Sequence, residues 1–247
     1  MNHYEKIATL KKFTDSIGTV YGTEDFAIYL YSIIKMTKPK TVLELGTGFG
    51  TTTLWAALGL QENNSGVIHT VDDGSEWEIL RKAKHLFETY YREDYKVYIY
   101  DLIQQFDFSN QISFYHQKIT KINYLNEIDI LFCDYSHGPY SVIKLFTDYL
   151  SRMSENSYIF IDSASTYYQS YHTLEAMISY FNAGKIPKTI YEMIDGADLQ
   201  AFHQRMMTSK FELTHLIENK QRNQNSTAQI KISPIDIMPQ PRVSIRF

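Results

Sequence analysis

The sequence predicts an α/β fold: a doubly wound sheet, mostly parallel, closed by an antiparallel C-terminal hairpin. Three observations carry this. Short apolar runs alternate with stretches of helical spacing from residue 41 onward, the first run empties into a turn holding three glycines, and two strand-like runs near the end flank a polar turn.

The elements follow in order. Residues 1–40 are expected to be a helical segment contributing to the substrate side. Within them, Thr23 to Met36 carries apolar and aromatic side chains at helical spacing, with a capped start at Thr23-Glu24-Asp25 and a stop before Pro39. Val42, Leu43 and Leu45 form a short apolar run suited to a strand covered on both faces. Gly46, Gly48 and Gly50 make the turn, and a helix from Thr51 to Leu60 aims its free N–H groups over it. Gly66 to Val71 reads as a second strand ending in Asp72 and Asp73, and residues 76–92 read as helical. Residues 93–111 form a connection of undecided type with room for a short element. Ile112 to His116, Ile128 to Cys133 and Tyr158 to Ile161 are the next strands, with a helix from Tyr140 to Leu150 before the last. Such alternation implies right-handed crossovers in a parallel sheet. Phe211 to Ile217 and Ala228 to Ile232 flank Gln221 to Ser226 and read as a hairpin.

The glycine spacing bears on the ligand. A dinucleotide turn wants G-x-G-x-x-G, which would put its third glycine at Thr51. The chain instead reads E-x-G-x-G-x-G. Glu44 would repel a pyrophosphate but can accept a charge-assisted hydrogen bond from an amino-bearing ligand. A tight strand-to-helix turn without a ligand is the alternative. The segment resembles motif I of the class I S-adenosylmethionine-dependent methyltransferases. That resemblance implies a Rossmann-like, seven-stranded fold and S-adenosylmethionine as cofactor, held by Glu44, Gly46, Thr47, Gly48 and Gly50. It also implies that Asp72, with Asp73 as second choice, grips the cofactor ribose. A capping turn is the other reading of Asp-Asp-Gly. In the family an acidic pair after the third strand meets the adenine; here Gln117 is the candidate, and Lys118 departs from the pattern.

In a doubly wound sheet, ligands collect beyond the carboxyl ends of the strands. The fourth strand ends Cys133-Asp134-Tyr135-Ser136-His137 and the fifth ends Asp162-Ser163. These ends look like those of O-methyltransferase-like members of the superfamily, including the metal-dependent catechol and caffeoyl-CoA types. Asp134, also a cofactor contact, His137 and Asp162 match the first acid, the histidine and the fifth-strand acid, while Ser136 and Ser163 stand where the pattern has a second acid and an Asp or Asn. The resemblance makes these three the catalytic candidates. Imidazole titrates near neutrality, which suits His137 to a general base in an in-line methyl transfer; capping of the next helix is the structural alternative. Asp134 and Asp162 with waters are a candidate site for a magnesium-like ion, weakened by the two serines. The expected activity is O-methylation of a small-molecule acceptor in specialised or peripheral metabolism. A methyltransferase fold that binds the cofactor for other chemistry or none is one alternative. A nicotinamide-dependent oxidoreductase is another, with Thr51 its weak point.

Net charge is −4 with scattered basic residues, which gives no footprint for nucleic acid. A single cysteine, Cys133, excludes an internal disulfide and a Cys-based zinc cluster. No run reaches the roughly 20 apolar residues of a membrane span, so a cytoplasmic protein is expected. His69 and His116 lie in strands and suit core packing or a backbone hydrogen bond, and His85, His172, His203 and His215 lack metal-site spacing. Tyr is abundant, 20 against 2 Trp, and clusters such as Tyr90-Tyr91 and Tyr167-Tyr168 suit a pocket, a homodimer interface or plain half-buried packing. The organisation expected is a methyltransferase domain over 41–233, a lid or insertion at about 184–210, and a tail at 234–247.

Overall fold

A computed structural model describes residues 3–17, 24–164, 166–217 and 226–235. Two helices, α1 (His3–Ile17) and α2 (Glu24–Thr37), precede β1 (Thr41–Leu45), α3 (Thr51–Glu62) and β2 (Val67–Asp72). Then come the short α4 (Trp77–Leu80), α5 (Tyr95–Gln105), β3 (Ile112–His116), β4 (Ile128–Cys133), α6 (Pro139–Tyr149) and β5 (Met153–Asp162). The chain continues through α7 (Tyr168–Asn182), α8 (Lys188–Met193), α9 (Gly196–Thr208), β6 (Ser209–Ile217) and β7 (Ser226–Pro234). The seven strands form one sheet in the order β3-β2-β1-β4-β5-β7-β6. Strands β1 to β5 pair in parallel, and the β6–β7 hairpin pairs antiparallel with β5 through β7.

Register decides where the site forms. Leu45 is level with Val71 on one side and Cys133 on the other, so the turns after β1, β2 and β4 leave the sheet side by side. The strand order reverses between β1 and β4, the place where a doubly wound sheet opens a crevice. One face is covered by α1, α2, α3 and α5 through residues such as Ile34, Leu54 and Phe106; the other is covered by α6, α7 and α9 through Phe146, Phe181 and Phe202. With both faces buried, the strands need near-continuous apolar runs, and β4 supplies one from Ile130 to Cys133.

Several expectations shift. Residues 76–92 do not make one helix: after α4 the chain tightens to a 3-10 turn over Arg81–Leu86. The reason is aromatic. Trp77 and Phe87 collapse onto Phe49 and Tyr98, with ring centroids 4.7 Å apart for Trp77–Tyr98, and Trp77 Nε1 donates to the Glu93 carbonyl at 3.0 Å. The undecided stretch 93–111 holds α5, started by Asp94, whose carboxylate accepts from Val97 N at 2.8 Å. Segment 184–210 folds into α8 and α9, and its apolar residues Ile190, Phe202 and Met206 are buried in the sheet-covering layer; none of its residues lines the cavity described below. Nor do α1 and α2 supply a residue to that cavity; Thr14 instead accepts from Trp55 Nε1 at 2.9 Å, tying α1 to α3. Thr23, the hairpin turn and residues 236–247 of the tail lie outside the described residues. No described helix is long and apolar enough to cross a membrane.

Candidate active site

A cavity of about 550 Å³ opens beyond the carboxyl ends of β1, β2 and β4. Its floor is the glycine turn. Gly46, Gly48 and Gly50 have φ of 98°, 53° and 81°, the left-handed region that glycine enters without a Cβ clash. At Gly46 a second constraint applies: a Cβ there would stand 2.4 Å from the Asp134 carbonyl oxygen. The β1 turn is thus sealed against the end of β4, and Asp134 N donates to Leu45 O at 2.8 Å.

Glu44 lies beneath this turn, 1 % exposed, and not in the cavity wall. One carboxylate oxygen accepts from Thr70 Oγ1 at 2.5 Å and from Thr53 Oγ1; the other, Oε1, is buried with no partner. Burial pushes its pKa up to about 8, against the pull of the two hydroxyls and with a smaller push from Asp72. Thr47, next in the turn, is buried and joins Thr70 through their hydroxyls at 2.5 Å. Glu44 therefore underpins the left-handed turn from below, with one carboxyl oxygen left unpartnered beneath the cavity floor.

Asp72 and Asp73 both line the cavity, but they are engaged differently. Asp72 Oδ2 accepts from Thr47 N at 2.9 Å and Gly48 N at 3.0 Å, and its Oδ1 accepts from Gly74 N at 2.8 Å, so this carboxylate staples two turns together. Asp73 accepts from Ser75 N at 2.9 Å, and the bonds from Ser75 hold its carboxyl below the usual range. Gln117 is exposed and outside the cavity wall; its N–H donates to Asp72 O at 3.1 Å, and Ile119 lines the cavity instead.

The strand-end residues converge. Asp134, His137 and Asp162 can bring one ligand atom each within 4.8 Å of one another. Burial raises the pKa of both carboxyls, and in Asp134 the charge of Asp162 raises it further. Ser163, at φ 56°, donates its hydroxyl to Asp162 Oδ2 at 2.5 Å, so the residue standing where the pattern has an amide serves the carboxylate from within the chain. His137 Nδ1 lies 3.2 Å from the Asp162 carbonyl oxygen. A carbonyl only accepts, so Nδ1 carries the proton and the neutral ring keeps its lone pair on Nε2. The ring stacks on Tyr167 with centroids 5.0 Å apart and planes at 8°. Gly138 is the N-cap of α6 and the cap has no side-chain hydrogen bond, so His137 does not cap that helix. His69 shares a hydrogen bond with Tyr115 OH, and the exposed His116 one with the Asp73 carbonyl, at 3.0 Å each.

Sequence reasoning missed the aromatic wall. Trp77, Tyr95, Tyr135 and Tyr167 line the cavity, and Tyr95 OH donates to Gly48 O at 2.9 Å. Only the Tyr167-Tyr168 pair stood out in the sequence.

Comparisons with known proteins bear on the fold that carries this cavity. Residues 43–164 match the family described as "Methyltransferase domain". No curated protein matches the chain. The fold is similar to the O-methyltransferase TomG of Streptomyces achromogenes, involved in tomaymycin synthesis and solved with S-adenosylmethionine: 11 % identity, 91 % of this chain and 89 % of that one covered, TM-score 0.50. It is also similar to a candidate caffeoyl-CoA O-methyltransferase of Staphylococcus aureus, at 12 % identity, 92 % and 91 % coverage and TM-score 0.50. Sheet order, glycine turn and domain match converge: residues 43–164 match a methyltransferase domain, and the chain has a class I S-adenosylmethionine-dependent O-methyltransferase-like fold.

Proposed function

We propose that the protein methylates a hydroxyl of a small-molecule acceptor, with His137 as the general base. The observation that carries this is the tautomer: a ring whose Nδ1–H is committed to the Asp162 carbonyl, leaving Nε2 basic, in the wall of the cavity that also exposes Gly46 and Gly48. When bound, the sulfonium cofactor supplies an electrophilic methyl group. As the acceptor oxygen bonds that carbon and the carbon–sulfur bond breaks, His137 Nε2 takes the hydroxyl proton. Gly46 and Gly48 would form the floor under the cofactor's amino-acid end, with Glu44, Thr47 and Gly50 supporting that floor from below, and Asp72 and Asp73 would hold the ribose. Asp134, at the end of β4, would be a further cofactor contact. Alignment of the two reactants in one enclosed cavity supplies much of the remaining acceleration.

A metal-assisted version of the same reaction is supported by the close approach of Asp134, His137 and Asp162. Two carboxylates and an imidazole suit a divalent ion completed by waters, and such an ion would polarise the acceptor hydroxyl. The experiment is one assay with two arms. Calorimetry with S-adenosylmethionine, S-adenosylhomocysteine and NAD should show binding of the first two alone. Release of S-adenosylhomocysteine in the presence of phenolic acceptors, with and without a chelator, then reads transfer and metal together; binding without release from any acceptor sinks the proposal.

A further inference from the structure

The glycine turn is gripped from two sides by the protein itself. Gly48 has no side chain to anchor it, so its position depends on main-chain partners: its N–H donates to Asp72 Oδ2 at 3.0 Å, and its carbonyl accepts from Tyr95 OH at 2.9 Å. The next carbonyl, on Phe49, accepts from Tyr98 OH at 3.1 Å. Tyr95 and Tyr98 stand three residues apart on α5, so both reach the turn from one helix face. Their surroundings differ. Tyr98 is fully buried and does not line the cavity, and the Phe49 it serves is anchored by its own ring against Trp77 and Phe87, at centroid distances of 6.2 and 5.0 Å. Tyr95 lines the cavity beside Gly48, with its ring packed on Trp77 at 5.3 Å and on Phe114 at 6.0 Å. The same ring closes the turn after β2: a Cβ on Gly74 would stand 2.5 Å from it.

We infer that Tyr95 is a positioning residue for the S-adenosylmethionine site: its hydroxyl fixes the Gly48 carbonyl and its ring fixes the turn after β2, so that both turns stand in their binding shape ahead of the ligand. This role rests on the methyl-transfer reading of the cavity and adds to it a residue outside the glycine turn and the strand-end acids. A glycine released from its carbonyl partner regains conformational freedom, and binding then has to order it again at the expense of affinity. Loss of the Tyr98 hydroxyl has no such effect, because the Phe49 ring keeps that carbonyl in place. It strands a buried carbonyl instead, which weakens the fold. Gly48 borders the cavity, so water takes the place of the Tyr95 hydroxyl there at little cost to the fold. The two hydroxyls thus divide by role, one serving the ligand and the other the core.

The test uses the full chain, S-adenosylhomocysteine as probe, and the variants Tyr95→Phe and Tyr98→Phe, each of which keeps its ring and loses one hydroxyl. Calorimetry should show Tyr95→Phe binding the probe about tenfold more weakly than the parent while melting close to it. Tyr98→Phe should do the reverse, melting lower and binding nearly as the parent does. Amide hydrogen exchange of a peptide spanning the glycine turn supplies a readout that a purely structural role leaves unmoved: slow in the free parent, faster in free Tyr95→Phe, and slow again once the probe saturates the variant. Parental affinity in Tyr95→Phe overturns the inference, and so does an affinity loss that follows melting temperature across the two variants. Should Tyr95→Phe not fold, the free parent decides: turn amides protected without the probe uphold the role, and turn amides that become protected only with it overturn it. A parent that binds no S-adenosylhomocysteine fells the methyl-transfer reading beneath, whereas a parent and a Tyr95→Phe that bind it equally well fell this inference alone.

Discussion

At the level of single residues, two positions combine geometry with a sharp expectation. Gly46 has φ 98° and no room for a Cβ against the Asp134 carbonyl. Gly46→Ala therefore imposes a left-handed alanine, about 1–3 kcal/mol by itself, and pries β1 from β4. Thermal melting should drop by several degrees and calorimetric S-adenosylmethionine binding should vanish; a variant with parental binding would show that the turn is not the cofactor floor. His137 makes the opposite kind of test. His137→Ala removes the base but none of the turn hydrogen bonds, so turnover should fall about 10²–10⁴-fold while cofactor affinity stays within about twofold. Parental turnover at saturating acceptor removes the assignment. Both residues were legible in the sequence, because a glycine turn after an apolar run and a histidine three residues beyond a strand-end acid are local patterns. Of the aromatic wall only Tyr167 stood out; Trp77, Tyr95 and Tyr135 come from separate segments, and in sequence a ring facing a cavity looks the same as a ring in a core.

At the level of elements, strands were easier to read than helices. The runs at 42–45, 112–116 and 128–133 fall on β1, β3 and β4, because strands buried in the middle of a sheet write themselves as short, mainly apolar runs. β5 begins at Met153, earlier than its apolar run, since Ser154, Glu155 and Asn156 interrupt the pattern where pairing with β4 is irregular. Residues 76–92 show apolar residues at helical spacing, yet mutual attraction of Trp77, Phe87 and Tyr98 sets the backbone there. α5 went unassigned for the converse reason: its signal is the single cap Asp94 ahead of a tyrosine-rich stretch that suits strand as well as helix. Asp94→Ala should cost about 1 kcal/mol and lower the melting temperature by roughly 2–4 °C, with Asp94→Asn restoring most of it. An unchanged Asp94→Ala melt would mean that aromatic contacts alone hold α5 in place.

For the whole molecule, the buried acids at the mouth of the sheet set a pH dependence. Glu44 titrates near 4.5 when unfolded and is pushed up to about 8 by burial in the fold; Asp134 and Asp162 are raised in the same direction. A carboxyl raised in the folded state binds a proton that the unfolded chain has lost. Its contribution is therefore complete below the unfolded pKa and disappears as pH climbs through the folded one. His69 and His215, lowered by burial, act with the opposite sign, an effect that fades as pH rises through about 6.5. Between pH 6.5 and 8 the acids outweigh what remains of it, and the ligand-free protein should lose stability as pH rises, by roughly 2 kcal/mol from Glu44, a few degrees in melting temperature. Glu44→Gln, a neutral isostere of the protonated acid, should flatten that slope, with Asp134 and Asp162 accounting for what remains. Thermal melts of both proteins across this window decide the matter: a parental curve that rises, or a slope that Glu44→Gln leaves intact, would mean that Glu44 is charged in the ligand-free fold and that a cation meets its unpaired oxygen.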